Sequence, residues 1–208
     1  MTAAASDPRL AVVVHADRVR VLVVGGGPVA ERRAFGFADR GGRVRVVAPH
    51  ATDALRDAAT RGKLDLSLRA YRAGDIADAE LVVAATDDRA TNAQVAADAR
   101  NSHRLCNVAD APEEGSFSAI AQRTNGALLL AVGANGVPVA AARLLDVIGA
   151  RFDARYGDAI DALRALRERM LARDDRAGWE RASEQLLGED FTARVEDGRL
   201  AREARGWG

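Results

Sequence analysis

The feature that most constrains this chain is the junction between Val19 and Ala30. A nearly continuous apolar run, Val19 to Val24, stops at Gly25-Gly26-Gly27, and from Pro28 the apolar period becomes helical. A strand buried on both faces of a parallel sheet reads as such a run. Pro28 suits a first helical turn, where a missing N–H costs nothing. Ala30, Ala34, Phe37 and Ala38 then recur at i, i+4, i+7 and i+8, the spacing of one buried helix face. Gly25 to Ala30 fits the G-x-G-x-x-G/A dinucleotide fingerprint, with Ala30 in the third place. Gly25 permits the tight turn, Gly27 lets the backbone approach a pyrophosphate, and small Ala30 lets the helix pack close to the sheet. The helix N-terminus then faces the phosphates.

The same rhythm continues. Val44 to Ala48, closed by Pro49, predicts a second strand, and Ala51 to Thr60 a helix that stops at Gly62. Leu64 to Leu68 alternates as a half-exposed strand does. Leu81 to Ala85 predicts another buried strand, Asp87 or Asp88 a cap for a helix over Arg89 to Arg100, and Leu105 to Val108 a further strand. Leu10 to Val14 is expected to add an edge strand. Strand and helix in alternation give a parallel sheet with right-handed crossovers. After Pro112 the pattern changes. Ser116 to Gln122 and Ala127 to Val132 read as two strands joined through Asn125-Gly126. Pro138 opens a helix with Ala141, Leu144, Leu145, Ile148 and Phe152 on its apolar face, and Ala159 to Ala204 reads as helical, with breaks near Asp174 to Gly178, at Gly188 and at Gly198.

The 208 residues are 48% apolar, and 30 basic side chains cancel 30 acidic ones. That balance speaks against a nucleic-acid binder, which shows a basic excess. One cysteine, Cys106, leaves no disulfide framework or Cys-rich zinc module. No apolar run approaches the roughly 20 residues of a membrane span, and Met1 to Arg9 does not have the form of a secretory signal. The expectation is a cytoplasmic protein with no membrane or nucleic-acid partner. His15, His50 and His103 are scattered without metal-ligand spacing, so no metal site is expected.

Two other strand ends carry polar residues. Ala84-Ala85-Thr86-Asp87-Asp88 places Thr86 where ligands of open α/β sheets sit, and Asp87 and Asp88 read better as helix caps than as catalysts. Cys106-Asn107-Val108-Ala109-Asp110 places Asp110 beside the same crevice. A carboxylate there can act as a general base, although by itself it reads better as an Asp starting a turn before Pro112. The second strand ends Val46-Val47-Ala48-Pro49-His50. It lacks the acidic residue that holds the ribose in common NAD sites roughly 20 residues on, and backbone groups or His50 would have to take that role. No Arg cluster there favours NADP.

Together these segments resemble the precorrin-2 dehydrogenase / sirohydrochlorin ferrochelatase family, the dehydrogenase part of sirohaem synthase. GGGPVAERR (Gly25 to Arg33), VRVVAP (Val44 to Pro49), YRAGDIADAELVVAATDDRATN (Tyr71 to Asn92) and CNVADAP (Cys106 to Pro112) resemble its blocks in order, and Trp179 to Ala204 resembles its small helical domain. The resemblance runs from about Pro8 to the C-terminus, and no methyltransferase half is expected in 208 residues. It implies NAD-dependent oxidation of precorrin-2 to sirohydrochlorin, with Asp110 as the catalytic aspartate. It places Gly25, Gly27, Pro28, Val29, Pro49, His50 and Thr86 on the cofactor, and it implies an intertwined homodimer built on the segment after Pro112. The expected architecture is α/β: a Rossmann-like parallel sheet over 1–112, a small α+β dimerisation segment over 113–150 and a helical C-terminal domain over 151–208. Arg32, Arg33, Arg123 and Arg143 are candidate partners for the carboxylates of a tetrapyrrole substrate.

The chain departs from the family pattern at Gly133-Ala134-Asn135-Gly136-Val137-Pro138, which is one residue shorter than the usual loop and lacks its hydroxyls; Phe117-Ser118-Ala119-Ile120 also lacks the usual proline. Three other readings stay open: a bifunctional enzyme that also inserts iron, a non-catalytic NAD-sensing Rossmann module of the potassium-channel regulatory kind, and a dimer that has lost activity.

Overall fold

The computed structural model describes residues 9–207. The expectations for the extreme N-terminus lie, apart from Arg9, outside them. The chain divides into two compact units between Ala119 and Ile120.

The first unit is a five-stranded parallel sheet of order β3-β2-β1-β4-β5. Its strands are β1 (Arg20–Val24), β2 (Arg43–Ala48), β3 (Asp65–Leu68), β4 (Leu81–Ala84) and β5 (Leu105–Val108). The helices α1 (Pro28–Ala38), α2 (Asp53–Thr60) and α3 (Arg89–Asn101) cross between them. Central strands β1 and β4 are buried on both faces, which is why they read as uninterrupted apolar runs. One face of the sheet packs Val21, Val23, Val46 and Val83 against Ala30, Ala34, Leu55 and Ala58 of α1 and α2. The other packs Leu22, Val24, Val82 and Val108 against Val95, Ala96 and Ala99 of α3. β1 pairs with β2 on one side and β4 on the other, so strand order reverses direction between β1 and β4. In open α/β sheets the ligand crevice lies at such a switch point, at the carboxyl ends of the strands.

Leu10 to Val14 does not form the expected edge strand; it is extended chain with Leu10, Val12 and Val13 exposed. β1 is central and both its neighbours are taken, so an added strand would have to lie outside β3 or β5. That is three strand spacings, roughly 14 Å. The chain instead runs from Val14 through the 3-10 turn Ala16–Arg18 directly into β1.

The second unit holds a hairpin, β6 (Ala121–Asn125) and β7 (Leu128–Val132), and the helices α4 (Pro138–Arg151), α5 (Ala154–Ala172), α6 (Arg176–Leu186), α7 (Phe191–Glu196) and α8 (Arg199–Gly206). Several details differ from the sequence expectations. β6 begins five residues later than Ser116, because Ser116 and Phe117 are tied back to the carbonyl of Cys106 on β5. The turn itself is Gly126-Ala127, with Asn125 the last residue of the strand. Gly126 has φ +56°, so it takes the position where a left-handed backbone is needed, while the Asn125 amide donates to the Phe152 carbonyl at 2.9 Å. On α4 the buried residues are Ala141, Leu145 and Gly149, spaced i, i+4, i+8; Leu144 is rotated off that face and is half exposed. β7 alternates half-buried and exposed positions within the chain. The helical breaks fall at Asp174, Gly188 and Gly198 as the pattern indicates, but α5 starts at Ala154, capped by the Asp153 carboxylate. Tyr156, Leu163, Leu166, Leu186 and Leu200 form this unit's core.

Candidate functional site

The loop from β1 to α1 is pressed between two strand ends. A Cβ on Gly25, whose φ is +126°, would overlap the Ala85 carbonyl beyond β4, and one on Gly26 would overlap the His50 carbonyl beyond β2. Position 27 is the opposite case: φ is −84°, and a Cβ there would meet nothing within 4 Å. The open side of Gly27 is therefore where a ligand can reach the backbone. No side chain caps α1, and its first backbone bond runs from Glu31 N–H to the Gly27 carbonyl. That leaves the Val29 and Ala30 amides to a ligand or to solvent, at the positive end of the helix dipole. Residues and backbone geometry fit a pyrophosphate here. Pro49 and His50 follow β2 on the exposed rim, and neither β2 nor these two residues include an acidic side chain.

Thr86 and Asp110 lie two residues beyond β4 and β5, and one side chain joins them. Asn92, fully buried in the first turns of α3, accepts from the Thr86 N–H at 3.0 Å and donates to the Thr86 carbonyl at 3.1 Å and to Asp110 Oδ1 at 3.0 Å. The Thr86 hydroxyl lies 2.8 Å from Asn92 Oδ1 and 2.9 Å from the Asp88 carbonyl. Asp110 Oδ2 lies 3.9 Å from the Arg89 guanidinium, and Arg89 itself pairs with Glu114. Asp110 is part-exposed, so Oδ2, which faces Arg89 across 3.9 Å, can also be approached by a ligand.

Asp88 is the cap of α3, as the helix pattern indicated. It accepts from the Ala90 and Thr91 amides and from the Thr91 hydroxyl, whose hydrogen bond is the main reason its carboxyl lies below the usual range. Cys106 is buried under α3 and burial pushes its thiol up to about 11, which removes it as a nucleophile. Among the four arginines, Arg123 pairs with Asp146 at 2.7 Å. Arg33 is half-buried, its Nε has no hydrogen-bond partner among the described residues, and burial lowers its pKa. Sequence reasoning missed Asn92 as a site residue. Its only signal was a polar residue on the buried side of α3, four residues after the cap. Among the described residues no group of three or more His, Cys, Asp or Glu is placed to hold a metal, and no helix is long and apolar enough to cross a membrane.

A glycine crevice at the switch point of a parallel sheet, an uncapped helix over it and polar strand ends beside it define a dinucleotide-binding α/β protein. Residues 12–121 match the protein family described as "Putative NAD(P)-binding", and the chain belongs to that family. It is 42% identical over 142 residues to a sirohaem synthase of Pseudomonas putida strain F1, a match covering 67% of this chain and 30% of that one. It is 35% identical over 194 residues to a sirohaem synthase of Ectopseudomonas mendocina, covering 89% of this chain and 41% of that one. The chain thus spans well under half the length of these curated relatives. The fold matches a solved structure of SirC, precorrin-2 dehydrogenase, with a TM-score of 0.76 at 23% identity, over 96% of this chain and 100% of that one. The family description gives a nicotinamide dinucleotide as the cofactor.

Proposed function

We propose that the protein oxidises precorrin-2 to sirohydrochlorin with NAD. The observation that carries this is Asp110, held just beyond β5 with one oxygen bonded to Asn92 and the other part-exposed and 3.9 Å from Arg89, at the same carboxyl end of the sheet as the glycine crevice. Gly27, Val29 and Ala30 hold the pyrophosphate through backbone amides, with Gly25 and Pro28 shaping the turn. Pro49, His50 and Thr86 line the neighbouring strand ends. Bound NAD supplies the hydride acceptor. Asp110 takes the accompanying proton on Oδ2. The lack of any acidic or clustered basic group at Pro49-His50 supports backbone recognition of the ribose and gives no footing for a 2′-phosphate, which favours NAD over NADP.

Sirohaem synthases as relatives support the tetrapyrrole as substrate, and Arg33, half-buried with an Nε that has no hydrogen-bond partner among the described residues, is one candidate to meet one of its carboxylates. The parts 1–112, 113–150 and 151–208 are assigned to NAD binding, dimerisation and the helical domain. The dimer is proposed to form on the second unit, where Val137, Val139, Leu144 and Val147 of the α4 region and Leu129 of β7 are exposed. Incubation with NAD and precorrin-2, followed by absorption spectra, tests the assignment: the sirohydrochlorin spectrum should appear with stoichiometric NADH. NAD binding with no turnover would leave the sensor reading in its place. A ferrous-insertion assay on sirohydrochlorin separates the bifunctional alternative.

A further inference from the structure

We propose that Asn92 is the positioning residue of this site, holding the catalytic Asp110 and the cofactor-side Thr86 in one fixed arrangement. The proposal rests on the reading of Asp110 as the catalytic base. A side-chain amide offers two donor hydrogens and one carbonyl with two lone pairs, and here each meets a partner of the right kind. Oδ1 faces the Thr86 N–H and hydroxyl; Nδ2 faces the Thr86 carbonyl and the Asp110 carboxylate. Rotating the amide by half a turn would set donor against donor and oxygen against carboxylate, so the partners dictate its orientation.

The placement has a consequence for chemistry. Asn92 is fully buried and is bonded through its own N–H to the Asp88 carbonyl in the first turns of a capped helix. A group carried on such an element is held more closely than one on a loop. Thr86 and Asp110 both lie on loops, after β4 and β5, and the strands end two residues or fewer before them. Besides Asn92, these strand ends are linked by the Ala109 N–H donating to the Ala84 carbonyl at 2.9 Å and by Arg89 facing Asp110 at 3.9 Å, and neither of those contacts reaches Thr86. The amide occupies Asp110 Oδ1 and so leaves Oδ2 as the oxygen that receives a proton. A buried polar group of this kind, satisfied at every atom, sets geometry rather than merely filling space.

The test is a double-mutant cycle on the intact protein, reading kcat and KM for precorrin-2, NAD affinity by calorimetry and the thermal midpoint. Asn92→Ala is expected to lower kcat ~10–100-fold, the effect of losing one hydrogen bond to a charged group, with KM changed less than ~3-fold. In an Asp110→Ala background the same change should lower kcat less than ~2-fold, because its effect runs through Asp110. NAD affinity should fall by a similar factor in both backgrounds, since Thr86 is loosened in each. If Asn92→Ala does not fold, Asn92→Asp serves, keeping the size and the oxygen that faces the Thr86 N–H while removing the donor to Asp110. A folded variant with normal kcat, or an equal loss in both backgrounds, would overturn the proposal. Failure of both variants to fold would assign Asn92 to stability alone and overturn it as well. Failure of the underlying reading looks different: Asp110→Ala by itself would stay within a few-fold of the parent.

Discussion

Gly25 lies so close to the carbonyl oxygen of Ala85 that any Cβ at position 25 would overlap it, whereas Gly27, two residues on, faces open space. The two glycines therefore have different reasons to be glycine, and substitutions should separate them. Gly25→Ala forces an L side chain to φ +126° against a fixed backbone and should cost at least ~2 kcal/mol, read as a lower urea midpoint. Gly27→Asp, at φ −84°, should fold with a near-normal midpoint yet lose NAD binding, since its carboxylate would stand where the pyrophosphate approaches. Calorimetric titration showing equal NAD affinity in Gly27→Asp and the parent would remove the cofactor assignment.

Asp110→Asn should leave NAD binding near normal and lower dehydrogenation by ~10²–10⁴-fold, the usual range for a general base. The amide keeps the shape and can still accept from Asn92, so folding is not at stake. A turnover number within a few-fold of the parent would make Asp110 a turn residue only.

Cys106 should behave as a small core residue. With the thiol near 11 and the side chain buried, labelling by iodoacetamide at pH 8 should be slower in the native protein than in urea by roughly 100-fold or more, from thiolate fraction alone. Rapid native labelling would show that the β5–α3 packing opens readily.

Asp75 gives a pH dependence. Arg69 bonds it with two nitrogens, at 2.6 and 2.8 Å, and that contact is the chief reason its carboxyl lies below the usual range. A carboxyl depressed in the folded state stabilises it above the unfolded value of about 3.9, and that stabilisation fades as pH falls through the folded value. Asp75→Asn should therefore lower the urea midpoint at pH 7, and the gap to the parent should narrow below about pH 4. A gap that stays constant to pH 2 would show that shape, not charge, holds the 3-10 turn Ala73–Ile76 in place.

The exposed apolar residues on α4 and β7 should be covered by a second copy. Light scattering should give about twice the chain mass, and a two-fold axis would bring the same patch together from both subunits. Replacing Val139 and Val147, each more than two-thirds exposed, with Glu should yield a folded monomer. An active monomer from the unmodified chain would end the idea.

Strands β1 and β4, helix α1 and the glycine crevice were legible in the sequence because each follows from local rules. Full burial makes a run of Val and Leu, a tight turn demands Gly25, and an uncapped helix start takes Pro28. The hairpin was legible in kind but not in register. Which residue of Asn125-Gly126 enters the turn depends on a bond from Asn125 to the Phe152 carbonyl, 27 residues away. The fate of Leu10 to Val14 depended on which strands flank β1, a property of the whole sheet. The site divides in the same way. Gly25, Gly27, Thr86 and Asp110 announce themselves by standing at strand ends, where the chain's own periodicity breaks. Asn92 does not, because a single Asn within a helix has no period to break. Only the folded sheet brings the ends of β4 and β5 to either side of its amide, and the low dielectric of that buried place makes its four hydrogen bonds directive.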